Sequence, residues 1–357
     1  MQIKMISTVT QDPVVRVPNA NHDPAKPGDR QVRIEAVAER AGVSAITVSR
    51  ALRTPDIVAE KTREKVAAAI RATGFSLNPH ASALRSGRSN VVLVFISSMA
   101  SEQFLLAADA FSDIIEQLDY EVVLARTYYS YERELRLTRS LSQLRPAGVF
   151  ITGMIEQELN RDMLHRLNIP IVESWAYCDT PIDMLVGLSN TDGVVAMMEY
   201  IAERGYRRPA FMGRAYGRGK IRYEAFQKQC ARLGLQEAGS VLLPTVRSKE
   251  DGRAAFAELL SQGHNPDVVF CANDLVACGA LIEAHARGLR VPQNIAITGF
   301  GNNSLMQELP PGITTVAVDA TELGRHAGEM LAARLTGKNT KPEKLLMPLS
   351  LIVRGSS

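Results

Sequence analysis

"AGVSAITVSRALRTP", residues 41–55, reads as the end of one helix, a glycine turn and a second short helix. A surface helix normally displays lysine and glutamate, but this one offers Ser44, Ala45, Ile46, Thr47, Ser49 and Arg50. A helix lying in the major groove of DNA needs such a face: small residues near the backbone, hydroxyls for phosphates and few bulky charges. Ser44, Thr47 and Ser49 suit phosphate oxygens, Ala45 and Ile46 suit thymine methyls, and Arg50 suits a guanine edge. The alternative is an ordinary surface helix of a small bundle, since helix–turn–helix spacing alone does not establish DNA binding.

Charge weighs on the first side. Residues 31–90 hold ten Lys/Arg against five acids, a balance of +5; residues 1–30 balance at +1 and residues 91–357 at −3, although the whole chain is only +3. A small basic unit thus precedes a mildly acidic body, which favours nucleic acid as one partner.

The flanking sequence completes the small unit. Ile34, Val37, Ala38 and Ala41 keep a helical period up to Gly42, and Ser44 can cap the next helix, whose inner face is Val48, Ala51 and Leu52. A third helix is expected from about Ala59 to Thr73, burying Val66, Ala69 and Ile70 and stopping at Gly74. Residues 1–30, rich in Pro, Asp and Asn, read as a flexible extension. "NPHASALRSGRSN" (78–90) reads as a short helical turn followed by a Ser/Gly/Arg linker.

The pattern changes after residue 90. Seven apolar runs of strand length, at 91–96, 121–125, 147–152, 170–174, 209–213, 267–272 and 295–300, alternate with amphipathic helical segments. Continuous apolar strands separated by helices point to parallel sheets covered on both faces, a body of α/β class large enough for two lobes. No run of eighteen apolar residues and no secretory leader is visible, so a cytoplasmic protein without membrane attachment is expected. Cys178, Cys230, Cys271 and Cys278 lack metal-ligand or disulfide spacing and read as free thiols.

Two glycine-rich stretches imitate nucleotide sites. "GRAYGRGKI" (213–221) is one residue too long for a phosphate loop and has Ile221 where Ser or Thr is required. "GFGNNS" (299–304) has Ser304 in place of the third glycine of a dinucleotide fingerprint, and Pro310-Pro311 interrupts the helix that should follow. The six histidines form no catalytic or metal grouping. No enzyme, no metal and no cofactor is expected.

"IEAVAERAGVSAITVSRAL" (34–52) resembles the helix–turn–helix of the lactose/galactose-repressor (LacI/GalR) family, and "NPHASALRSGRSN" is similar to that family's hinge. "RYEAF", "FCANDLVACGA", "IAITGFGN" and "PPGITTV" follow in the family's order, so the resemblance spans nearly all of 33–353. Segments such as "PIVES" and "VGLSN" look most like the gluconate-type repressors. The resemblance implies an all-α helix–turn–helix headpiece plus an α/β body, a two-lobed type I periplasmic-binding-protein-like core with parallel sheets. It sets an extension at 1–30, the headpiece at 31–76, a hinge helix and linker at 77–90 and the core at 91–357. The lobes fall at about 91–190 with 319–345, and about 191–318 with 346–357.

Residue by residue, Ala45, Ile46 and Arg50 match base-reading positions, and Leu84, followed by Arg85, matches the leucine that wedges into the minor groove. Arg33 and Ala59 depart from the family by standing where Ser or Thr usually caps a helix. In the core, Arg222 and Asp274 match effector-contacting positions, with Asn273 beside them, and Phe104, Tyr128, Trp175 and Asn302 match pocket positions. Ser98, Ser101, Thr152, Glu173 and Asn190 are further candidates, and Gly301 replaces an acid common in the family. Trp175 reads equally as core, and the lesser alternative for Arg222 is a surface pair with Glu224 or Glu173. A homodimeric repressor is expected, binding double-stranded operator DNA and controlled by a sugar or sugar acid such as gluconate or 2-ketogluconate. The rival is a sugar-binding transport protein, which shares the body's fold but not the headpiece.

Overall fold

The computed structural model describes residues 32–75, 89–339, 341 and 343–357. The chain divides into two units, Met1–Asn78 and Pro79–Ser357. The extension and the hinge residues Leu84 and Arg85 lie outside the described residues.

In the first unit, α1 (Ile34–Ala41) stops at Gly42, whose φ of 66° is left-handed backbone that glycine enters without a steric penalty. Ser44 then starts α2 (Ala45–Arg53), its hydroxyl accepting the Thr47 N–H at 3.1 Å. After a single 3-10 turn at Pro55–Ile57 comes α3 (Glu60–Thr73), ended by Gly74. Val37, Ala38, Ala41, Val48, Val66 and Ala69 are buried between the three helices. Ala51, Leu52 and Ile70, expected inside, are only partly covered. Six buried residues, three of them alanines, cannot enclose a full apolar face in so small a bundle.

Neither Arg33 nor Ala59 supplies a side-chain cap to the helix it precedes. Ala59 has the extended backbone of a capping position, with φ −54° and ψ 138°. Ala59→Ser should therefore stabilise the headpiece by about 1 kcal/mol in urea unfolding followed by circular dichroism. No gain would mean that the N-terminal amides of α3 are already satisfied.

The second unit holds two six-stranded sheets. The first, in spatial order β11-β5-β4-β3-β1-β2, is parallel throughout: β1 (Val91–Ile96), β2 (Glu121–Arg126), β3 (Gly148–Thr152), β4 (Ile171–Ser174), β5 (Met184–Leu188) and β11 (Lys344–Met347). The second, β12-β10-β9-β8-β6-β7, comprises β6 (Pro209–Arg214), β7 (Ser240–Leu243), β8 (Val268–Cys271), β9 (Ala296–Gly301), β10 (Thr314–Ala317) and β12 (Ser350–Ile352). Only β12 runs antiparallel, against β10.

Strand alternation distributes the core. Val92, Val94 and Ile96 face one side of the first sheet, where α4 (Glu102–Glu116) and α12 (Ala320–Leu335) contribute Phe111, Leu323 and Leu331. Leu93 and Phe95 face the other, against Leu141 of α5 (Tyr131–Leu144) and Leu164 of α6 (Glu158–Arg166). Each such side chain, fully buried, contributes roughly 1.5–3 kcal/mol. Gly324 and Gly328 let α12 lie directly on α4, since a Cβ at Gly324 would stand 2.1 Å from the Ala107 carbonyl.

The second sheet is covered by α7 (Asn190–Glu203), α8 (Arg218–Leu233), α9 (Lys249–Ser261) and α10 (Asp274–Ala286), and α11 (Leu305–Glu308) follows β9. The chain passes between lobes three times, after β5, after β10 and after β11. The first sheet reaches Met347, two residues past the expected 345.

Candidate nucleic-acid interface and ligand cleft

On α2 the expected face divides. Ile46 is 65% exposed and Arg50 is exposed one turn later, with no ion pair to Arg50 among the described residues. α2 has no acidic residue to repel phosphate. Thr47 and Ser49 are half-buried, and the Ser44 and Thr47 hydroxyls lie 2.9 Å apart at the helix start. Ala45, expected on the reading face, packs against the headpiece core because it falls one turn before Val48 and two before Leu52.

The cleft lies between the C-terminal ends of the two sheets, where α/β folds place ligands, and encloses about 880 Å3 including its mouth. Of the expected residues it is lined by Phe104, Trp175, Arg222, Asn273 and Asp274, together with Ser98 and Ser101. Tyr128 and Asn302 do not line it; their neighbours Tyr129 and Asn303 do. Left-handed backbone explains both offsets. Tyr128 and Tyr129 have φ of 53° and 55°, and Asn302 has φ of 65°, so the chain turns each next side chain cleftward. Tyr128 instead accepts from Arg126 Nη1 at 2.5 Å, and Asn302 Oδ1 accepts from Arg354 at 2.6 Å.

Three further candidates are structural. Thr152 donates to the Phe95 carbonyl inside the sheet. Glu173 pairs with Arg161 at 3.0 Å and accepts the Ile182 N–H at 2.6 Å. Asn190 is buried behind the cleft, accepting from Arg222 Nε at 2.8 Å and donating to the Trp175 carbonyl at 3.1 Å.

Arg222 pairs with neither Glu224 nor Glu173. It is buried, donates to Asn190 and to the Ala272 carbonyl, and lays its guanidinium 3.4 Å from the Phe300 ring centre. Burial, with Arg218 nearby, pulls its pKa well down; a guanidinium keeps its proton regardless. Trp175 proves to be both buried and a cleft wall, edge-on to Phe104 at 5.1 Å. Asn273 Oδ1 caps α10 by accepting the Val276 N–H. Asp274 accepts from the Asn303 N–H at 2.6 Å and the Thr315 hydroxyl at 2.8 Å. Burial raises the Asp274 pKa, and those hydrogen bonds oppose the rise.

The two nucleotide-like stretches turn out to build this cleft. A Cβ at Gly299 would stand 2.2 Å from Asp274 Oδ1, so the "GFG" end of β9 makes room for a carboxylate. "GRAYGRGKI" supplies Arg214, Arg218 and Gly219 to the lining, residues that were not singled out from sequence. Their signal was the spacing of Arg214, Arg218 and Arg222, every fourth residue from a strand end into a helix. Gln103, Tyr129 and Asn303 were also missed.

Polar contacts join the lobes on both sides of the cleft. Arg214 pairs with Glu156 at 3.0 Å, and Tyr131 donates to the same carboxylate. Opposite, Glu102 accepts from the Ser304 N–H at 2.8 Å, and Gln103 donates to the Asn302 carbonyl at 3.2 Å. Among the described residues no group of His, Cys, Asp and Glu is arranged to hold a metal ion, and no helix is long and apolar enough to cross a membrane.

Bacterial regulatory proteins of the lacI family match residues 33–78, and a periplasmic binding protein-like domain matches 198–357. The HTH-type transcriptional regulator GntR of Pseudomonas aeruginosa is 33% identical over 326 residues, covering 91% of this chain and 95% of its own. A solved LacI-family transcriptional regulator from Silicibacter pomeroyi superposes with a TM-score of 0.83 at 30% identity, covering 91% of this chain and 99% of that one. The lac repressor dimer bound to operator and the anti-inducer ONPF gives 0.76 at 26% identity, covering 92% and 99%.

Proposed function

We propose that this chain, which belongs to the lacI family of bacterial regulatory proteins, answers to a sugar acid held in its interlobe cleft. It is a DNA-binding transcriptional regulator with an effector-binding domain, of a family that is not enzymatic. The charge of the cleft carries the sugar-acid reading. Three guanidiniums, Arg214, Arg218 and Arg222, meet Glu156 and Asp274, and among the described residues no acid pairs with Arg218. A carboxylate supplies the missing charge, while Phe104 and Trp175 offer faces to C–H groups and Asn303 and Ser101 offer polar contacts to hydroxyls. The likeness to gluconate-type repressors points the same way.

The protein acts as a homodimeric repressor on a two-fold operator, one headpiece per half-site. Exposed Leu105 and Leu106 on α4 and Val123 and Leu124 on the neighbouring edge strand β2 support a second copy as their cover. Effector binding across the lobes shifts the dimer away from its operator-binding form.

A thermal-shift panel with parallel operator titration tests the effector class. At one hundred times its Kd, a sugar acid stabilises the folded state by about 2.7 kcal/mol. Gluconate or 2-ketogluconate is expected to raise the melting temperature and weaken operator binding. A response confined to purines or neutral disaccharides would overturn the reading.

A further inference from the structure

We propose that the effector's carboxylate is read by a seat built from both lobes, the Arg218 guanidinium from α8 and the Trp175 indole N–H from the loop after β4. This rests on the sugar-acid reading above and assigns its recognition to two residues.

Arg218 is half-buried, with its guanidinium 5.0 Å from the Phe104 ring centre and 5.6 Å from that of Trp175. Among the described residues no carboxylate lies within ion-pair distance of it. Burial works most strongly against its charge and the nearby Arg214 adds to that, while Tyr129 and Glu156 offset only part of it. A desolvated cation without a counter-charge is costly to keep, and an anion between the lobes removes that cost.

Trp175 supplies a second, independent observation. It is 3% exposed, and its Nε1 is buried without a hydrogen-bond partner among the described residues. Nearly all buried donors in proteins are paired, so this one needs an acceptor. The residue also sits at φ 72°, an unfavourable conformation for a non-glycine side chain, while its carbonyl is fixed by Asn190. The indole is thus held against the cleft at some conformational expense.

The other two arginines are already engaged. Arg214 is neutralised by Glu156, and Arg222 commits Nε and Nη1 to Asn190 and Ala272. Arg222 is left to donate to hydroxyls. Arg218 retains a planar fork that suits the two oxygens of a carboxylate, and an indole N–H across the cleft ties the same group to the other lobe. Carboxylate recognition and lobe joining then become one event.

Calorimetric titration of the full chain with gluconate and with sorbitol, which has CH2OH in place of the carboxylate, tests the seat. Wild-type protein should prefer gluconate by at least about 30-fold. Arg218→Gln should lose that preference, weakening gluconate at least about 30-fold and sorbitol by less than about threefold. Trp175→Phe keeps the ring and removes the N–H, and should weaken gluconate by about fivefold. Unliganded Arg218→Gln should melt no lower than wild type, which separates lost binding from lost folding. If wild-type protein binds neither compound, the sugar-acid reading and the seat fall together. Where wild type binds gluconate, undiminished binding by Arg218→Gln, or an equal loss of both ligands, overturns the seat alone. Unchanged binding by Trp175→Phe removes the indole from it.

Discussion

A fragment beginning at Ser89 is expected to bind a sugar acid within about threefold of the full chain and to lose at least about a thousandfold of its operator affinity. The body has its own buried clusters, built from both sheets and their helices, and every residue of the cleft lies within it. Its charge is −3 over residues 91–357, whereas residues 31–90 carry +5. Affinity for duplex DNA comes mainly from phosphate neutralisation, so removing the basic unit eliminates both the specific contacts and most of the non-specific attraction. Filter binding or fluorescence anisotropy reads the DNA arm, and calorimetry reads the ligand arm. Retained operator binding by the fragment would contradict the assignment of α2 as the reading helix. Loss of ligand binding would place part of the effector site before Ser89.

Glu134→Gln is expected to stabilise the body by roughly 1–3 kcal/mol at pH 8 and by less than about 0.5 kcal/mol below pH 4.5. Glu134, on α5, is buried and accepts from Asn160 Nδ2 on α6 at 2.6 Å. Burial raises its pKa from 4.5 to about 7; Glu156 pushes the same way, while Asn160 and Arg214 oppose. An acid whose pKa is higher in the folded than in the unfolded chain takes up a proton on folding. Its contribution to stability is therefore greatest below pH 4.5 and declines as the pH climbs toward 7. Glutamine keeps the acceptor for Asn160 and removes the charge. Urea unfolding across this pH range measures the difference between the two proteins. Parallel pH profiles for wild type and variant would show that Glu134 titrates as an ordinary exposed acid.

Legibility in the sequence followed the density of apolar signal. The seven apolar stretches of strand length are all strands, but β5, β7, β10, β11 and β12 do not stand out in the sequence. β7, β11 and β12 are short, and each lies at the edge of its sheet, where half the surface is open and polar residues are tolerated. β10 is fully internal yet begins Thr-Thr, because the Thr314 and Thr315 hydroxyls donate to the Arg354 carbonyl and to Asp274. A hydroxyl satisfied by a residue forty positions away leaves no trace in local hydropathy.

The site was legible to the extent that position along a strand or helix determines direction. Phe104, Arg222 and Asp274 stand on helices whose faces follow from periodicity, and they line the cleft. Tyr128 and Asn302 stand in left-handed turns, where one residue's difference in backbone reverses which side chain faces inward. Arg214 and Arg218 were hidden for another reason: the surrounding glycines drew attention to phosphate, although Gly219 serves close packing against the Arg214 carbonyl.

The three passages of the chain between lobes have a consequence for synthesis. When Leu188 leaves the ribosome, the first lobe still lacks α12, which covers one face of its sheet, and β11, which completes an edge. Both emerge only after nearly all of the second lobe, which itself waits for β12 to close its own far edge. Nascent chains stalled between Leu188 and Ala320 thus expose the apolar surface of β3, β4 and β5 that α12 later hides, and they are the form of this protein most in need of a chaperone.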